Sequence, residues 1–303
     1  MTIARIERLA ITDSGCNARV FQYIRGSILP NRSKFPEVSR AMKFLQSWRV
    51  RKPADDNESV YISEKFGVRS LHIGSDTVQS AMRIARPNDL EVVYTRSMMA
   101  FLLFKPEPRN VAMIGLGGGS LAKYVYHSIP EARVTAVEVN PQVVTIARQF
   151  FMLPPNDERL NVMVGDGVEF VARKGLRADV LVVDGYDSES QVEALATLPF
   201  YRDCARVLGD DGILVVNLWG GDRNFNACVD RLRAAFDGRV LCLPAGKPGN
   251  IAAFAFKSAQ GEPRWDELTK RARALTPHFG LTFGRFVEEF KVLNPHNDEA
   301  LLI

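Results

Sequence analysis

The sequence predicts an α/β protein, a doubly wound parallel sheet of nucleoside-binding type preceded by a small β-strand domain. Three observations predict it. The apolar run VAMI (111–114) meets a glycine cluster, Gly115, Gly117, Gly118 and Gly119, and a helical stretch follows. A second apolar run, VTAV (134–137), ends on Glu138. Two more, NVMV (161–164) and VLVV (180–183), end beside Asp166 and Asp184. Short continuous apolar runs alternating with helical segments are the pattern of strands buried on both faces of a parallel sheet.

Each element of this stretch has a physical job in holding a nucleoside. Glycines let the backbone turn tightly and approach a ligand as no residue with a side chain could. The helix that follows presents free N–H groups at its start. A carboxylate closing the next strand, about twenty residues on, suits bidentate acceptance from two ribose hydroxyls, which makes Glu138 the ribose candidate. Asp166, followed by Gly167 and a helix, is placed to accept from an exocyclic amine of the base. Asp184 and Asp187 sit just past the fourth strand, where open α/β sheets bind ligands. The structural alternative is that Asp187 caps a helix and Asp184 completes a turn.

The flanking segments complete the pattern. Residues 1–55 form a basic N-terminal extension, and residues 56–105 a small β-rich domain. Within it YISEKFGVRSLHIG and TVQSAMRIA alternate like antiparallel strands, and DLEVVYTRSMMAFLLF passes from strand into helix. Residues 106–293 carry the sheet. After Asp187, SQVEALATLPFYRDCARVL reads as a helical stretch broken near Thr197, GILVVNLW as a central strand, and NFNACVDRLRAAF as an amphipathic helix. RVLCLPA and NIAAFAFK read as closing antiparallel strands. Residues 262–293 read as one or two helices around Pro277, and 294–303 as a trailing tail. Trp219 and the following glycines also stand at a strand's carboxyl end, as a pocket wall or as packing.

Composition bounds the class. The 303 residues are 46% hydrophobic, ample for one large core plus a small domain. The longest apolar stretch is broken by Arg96, short of the roughly 18 residues of a membrane helix, and the N-terminus lacks a signal-like apolar run. Cys16, Cys204, Cys228 and Cys242 have no C-x-x-C spacing, so neither a metal site nor a disulfide framework is expected, and a reducing cytoplasm is the natural compartment. Residues 1–52 hold eleven Lys/Arg against three Asp/Glu in a chain of net charge +4. Lacking interleaved base-stacking aromatics, this leader reads as a helical extension packing on the body or a subunit neighbour, so nucleic acid is not an expected partner. Met42 is a second candidate start.

The order GLGGGS, AVEVN, VGDG and VVDGYD, then LPFYRDCARVLGDDGILVVNLW, resembles the spermidine synthases, or polyamine aminopropyltransferases, over roughly residues 58–256. The resemblance implies a Rossmann-like, S-adenosylmethionine-dependent transferase sheet behind a small strand domain, decarboxylated S-adenosylmethionine as donor, a small-molecule amine as acceptor, and a homodimer. It implies that Gln79 contacts the nucleoside, Tyr94 frames the amine, Glu138 binds ribose and Asp166 adenine. It makes Asp184 and Asp187 an Asp-x-x-Asp pair with Asp184 as general base. A carboxylate can take the proton that an alkylammonium must lose before attacking the carbon beside a sulfonium.

Three positions depart from that family's pattern. Ser120 stands where an acid would pair with the decarboxylated donor's ammonium, which weakens discrimination against the intact cofactor's carboxylate. Tyr94-Thr95-Arg96-Ser97 replaces a Tyr-His-Glu-Met motif, and Ser188 follows Asp187 in place of proline. The alternatives are therefore a methyltransferase of the same fold using intact S-adenosylmethionine, with Arg96 serving its carboxylate if it faces the cleft, and a non-catalytic nucleoside-binding homologue.

Overall fold

The computed structural model describes residues 4–8, 19–25, 60–186, 192–246 and 249–303, and the chain divides into two compact units, Met1–Gln79 and Ser80–Ile303. In the first unit β1 (Ala4–Arg8), β2 (Arg19–Arg25), β3 (Val60–Lys65) and β4 (Val68–Ile73) pair in that order, each antiparallel to the next. The leader, expected to be helical, thus contributes two strands. RVFQYIR is rich in the β-branched and aromatic residues that suit a pleated surface. Phe66 and Gly67 join β3 to β4, both at positive φ (52° and 74°), the backbone of a two-residue hairpin turn. Strand β5 (Val78–Arg83) carries the chain from the first unit into the second.

The second unit opens without the strand expected after residue 88. Asp89–Val92 is irregular, then α1 (Val93–Met98) runs into a 3-10 turn, Met99–Leu103. The reason lies in the carbonyls. Arg96 donates to Leu90 O (2.6 Å) and Glu91 O (3.0 Å), and Arg83 grips the Glu91 carboxylate, so these groups have partners outside any ladder.

The sheet of the second unit is Rossmann-like. Its elements are β6 (Asn110–Ile114), α2 (Ser120–Ser128), β7 (Arg133–Glu138), α3 (Pro141–Phe150), β8 (Leu160–Val164), α4 (Gly167–Ala172) and β9 (Ala178–Val183). They continue through α5 (Leu198–Val207), β10 (Leu208–Trp219), α6 (Phe225–Ala235), β11 (Val240–Pro244), β12 (Asn250–Phe256), α7 (Trp265–Phe279) and α8 (Phe283–Leu293). The strand order is β11-β12-β10-β9-β6-β7-β8, with β12 antiparallel to both its neighbours and the rest parallel.

Period-two alternation divides the core into two layers. Val111, Met113, Val180, Val182, Ile213 and Val215 face one side with Phe101, Phe283 and Phe290. Ala112, Ile114, Leu181, Val183, Leu214 and Val216 face the other with Phe170, Phe200 and Leu232. Both faces are covered, which is why these strands read as unbroken apolar runs. Thr197 caps α5, accepting from Phe200 N (3.2 Å), which explains the helix break read there. Residues 294–303 do not trail off. Ala300 and Leu301 bridge back to Arg264 and His296, and Leu301 is fully buried. Among the described residues no helix is long and apolar enough to cross a membrane.

Candidate active site

The strand order reverses direction at β6, with β7 on one side and β9 on the other, and this is where open α/β sheets bind ligands. The register makes the crevice specific. Ile114 pairs with Val137 of β7 and with Val183 of β9, so the next residues, Gly115, Glu138 and Asp184, leave the sheet side by side. The ladder extends one step past the strands, with Gly115 N bonding Val137 O and Asp184 N bonding Ile114 O, each at 2.9 Å. Gly115 adopts φ +89°, and a Cβ there would overlap the Asp184 carbonyl oxygen. Only glycine lets the turn and the acid lie this close.

On the β7 side, carboxylates meet backbone. Glu138 is nearly buried and accepts from Leu116 N through Oε2 and from Asn140 N through Oε1, both at 2.9 Å. Burial pushes its pKa up, and the backbone N–H groups of Asn140, Leu116, Gly117 and Val139 pull it back. A carboxylate offers about four lone-pair sites, and the bonds from Leu116 and Asn140 take two of them. Asp166 caps α4 through one oxygen, Oδ1, which accepts from Val168 N (2.6 Å) and Glu169 N (3.1 Å), with Gly167 packed against Ile114.

The glycine turn is pressed from behind by the protein itself. A Cβ on Gly118 would lie 2.7 Å from the Phe151 ring, and one on Gly119 2.8 Å from Leu153. Gly117 and Gly119 have positive φ, and Gly119 starts α2 without a side-chain cap. Ser120 is buried, its hydroxyl paired with Ser80 Oγ (3.2 Å) and Ala81 O (3.4 Å). Beneath the turn Lys123 is fully buried, donating to Phe151 O (2.6 Å), Pro87 O (2.8 Å) and Met82 Sδ (3.3 Å), and desolvation lowers its pKa to about 8.

On the β9 side, a carboxylate meets side chains. Asp184 Oδ2 accepts from the Tyr94 hydroxyl (2.9 Å), and Oδ1 from Asn217 Nδ2 (2.8 Å). Desolvation raises the Asp184 pKa, while Asn217 and Tyr94, in that order, oppose the rise. The Tyr94 phenol is held well above its ordinary value by burial and by the Asp184 charge, so it stays a donor. Tyr186 donates to Asn217 O (3.2 Å), and Asn217 Oδ1 accepts from Asn250 Nδ2 (3.0 Å). Arg96 spends its guanidinium on the Leu90 and Glu91 carbonyls.

The structure thus gathers Tyr94, Gly115, Glu138 and Asp184 at one strand edge, with Gly117–Ser120 and Asp166–Gly167 on the adjoining turns. Asp187 lies outside the described residues. Gln79 closes the first unit. Sequence reasoning passed over three residues. Asn217 had a signal, a neutral polar residue inside the apolar run ILVVNLW that burial obliges to find partners. Tyr186 lay inside the quoted VVDGYD. Asn250 had none, because its role depends on strand pairing.

A family profile described as the spermine/spermidine synthase domain matches residues 91–218. A polyamine aminopropyltransferase of Neisseria meningitidis is 44% identical over 250 residues, 82% of this chain and 95% of that protein. Among solved structures, a probable spermidine synthase from Corynebacterium glutamicum superposes with TM-score 0.60 at 18% identity, covering 74% of this chain and 88% of its own. Human methyltransferase-like protein 13 in complex with SAH superposes with TM-score 0.57 at 23% identity, over 62% and 92%. The two superpositions speak to the fold alone, and the identity to the Neisseria protein speaks to the family. The chain belongs to the spermine/spermidine synthase family of polyamine aminopropyltransferases.

Proposed function

We propose that the protein transfers an aminopropyl group from decarboxylated S-adenosylmethionine to a polyamine-type amine. In this reading Glu138 accepts from the donor's ribose hydroxyls and Asp166 from its adenine. The turn 115–119 and Ser120 pass beneath the sulfonium end. Asp184 takes a proton from the acceptor ammonium, with Asp187 drawing the cation in. The freed lone pair attacks the methylene carbon beside sulfur, the C–S bond breaks, and 5′-methylthioadenosine leaves with the electron pair. The sulfonium is already a good leaving group, so most of the acceleration comes from in-line positioning.

The observation that carries this reading is the Asp184 carboxylate, held between the Tyr94 hydroxyl and the Asn217 amide against the glycine turn. Of Ser120 and Arg96, the two residues that favoured intact S-adenosylmethionine and methyl transfer, Arg96 is instead engaged by backbone carbonyls. A homodimer in the cytoplasm belongs to the same reading.

Calorimetric titration with S-adenosylmethionine, its decarboxylated form and 5′-methylthioadenosine tests the donor. Tighter binding of the last two, followed by polyamine formation from a diamine, is the expected result. A preference for the intact cofactor would move the assignment to methyl transfer.

A further inference from the structure

An ionised carboxylate only accepts hydrogen bonds, whereas a primary amide has a donor end and an acceptor end. The amide of Asn217, buried at 3% exposure, meets Asp184 with its nitrogen and Asn250 with its oxygen. Turned over, it would set oxygen against the Asp184 carboxylate and nitrogen against the Asn250 nitrogen. While Asn250 presents its nitrogen, its donor holds the amide in this sense. The register explains the reach. Asn217 pairs with Ala252 and Trp219 with Asn250, so Asn217 and Asn250 are diagonal neighbours on one face of the β10–β12 pair. Backbone bonds hold the Asn250 main chain in turn, with Ala245 N donating to Asn250 O (2.8 Å) and Gly220 N to Gly249 O (2.9 Å), so its side chain starts from a fixed point.

We propose that Asn250 is a positioning residue for the reaction, fixing the Asn217 amide so that Asp184 keeps a donor and its anionic, proton-accepting form. The proposal rests on the reading of Asp184 as the base. It makes the antiparallel strand β12 part of the catalytic apparatus without any contact between Asn250 and the reacting carboxylate. Among the described residues, the titratable groups that bear on Asp184 are Tyr94 from α1 and Tyr186 from its own loop, with Asp222 acting on Tyr186 from beyond β10. Lacking the Asn250 donor, Asn217 is free to turn its oxygen toward Asp184, which then retains a proton to bond it.

The test is a carbon-13 NMR titration of the Asp184 carboxyl in aspartate-labelled full-length protein, its signal assigned by its loss in Asp184→Asn. Asn250→Leu, of similar volume and without a donor, should raise the titration midpoint by about one unit, a roughly tenfold smaller ionised fraction below it. Asn250→Asp should raise it at least as far, and Asn250→Gln should restore it. The acid limb of kcat/KM should move in parallel while donor affinity by calorimetry holds within about twofold. Asn250→Ala replaces Asn250→Leu if the latter does not fold. A midpoint that stays at the wild-type value in Asn250→Leu or Asn250→Ala overturns the proposal, even if Asn250→Asp shifts it, because added charge alone would do that. A fully active Asp184→Asn would instead sink the base assignment and leave the midpoint result standing.

Discussion

The two sides of the crevice hold their carboxylates by different means. On the β7 side Glu138 and Asp166 are bonded by backbone N–H groups of Leu116, Asn140, Val168 and Glu169. On the β9 side Asp184 is bonded by side chains from 90 residues upstream and 33 downstream. Backbone donors survive any substitution but proline of the residues that carry them and are set by local turn geometry. Side-chain donors can be exchanged, so they can tune the acid they touch. Desolvation raises the pKa of both Glu138 and Asp184, and the means of opposing it differ. In the proposed reading, the backbone-held acids form the side that binds the donor and the side-chain-held acid the side that does the chemistry.

Replacing Asp184 breaks the chemical side alone and should have the largest effect. Asp184→Asn is expected to lower turnover about a thousandfold, within the range of a lost general base, with donor affinity unchanged within about threefold. Single-turnover rates and calorimetry separate the two. Burial raises the Asp184 pKa, so the wild-type acid limb should lie above the ordinary carboxylate range, with activity lost as pH falls through it. The same limb should be missing from the residual activity of the variant.

Gly115→Ala breaks both sides at once, because the turn and Asp184 touch there. A left-handed φ costs an alanine about 1 kcal/mol, and overlap with a backbone carbonyl that cannot swing away adds about 2 more. Thermal denaturation should show a fall in Tm on the order of 6–12 °C. Gly175 is the control. It has φ +83° with nothing within 4 Å of a built Cβ, so Gly175→Ala should lose only about 1 kcal/mol. Equal losses at the two positions would show that the close approach of turn and acid carries no strain.

Glu138→Ala should weaken donor binding by about 2–3 kcal/mol, on the order of a hundredfold, because two charge-assisted ribose bonds go and Leu116 N loses its acceptor. Turnover at saturating donor should fall far less. If calorimetry gave wild-type affinity, Glu138 would be a brace for the turn and nothing more.

This asymmetry also explains what the sequence could tell. The β7 side is local. Asn110 to Glu138 spans one strand-turn-helix-strand unit, so spacing alone places glycines, helix start and acid together. The leader and residues 89–92 misled for different reasons. RVFQYIR has strand-forming residues and found a strand to join, whereas the carbonyls of Leu90 and Glu91 are taken by Arg96. On the β9 side, the resemblance supplied Tyr94, and Asp184 stood at a strand end. Asn217 and Asn250 come together only through the antiparallel register of β10 and β12.

Tyr94→Phe should have the smallest effect and gives the sharpest reading of the comparison. It removes one of the two donors that hold Asp184 down in pKa while Asn217 remains. A hydrogen bond to a charged group is worth about 1.5 kcal/mol, so turnover should fall roughly tenfold and the acid limb should move to higher pH. If Tyr94 acts through Asp184, the two substitutions cannot add. The double variant Tyr94→Phe/Asp184→Asn should be no slower than Asp184→Asn alone, a coupling energy equal to the whole single effect of Tyr94→Phe. Additive losses would mean that the Tyr94 hydroxyl contacts the substrate in its own right, and the side-chain clamp on Asp184 would then owe its tuning to Asn217 alone.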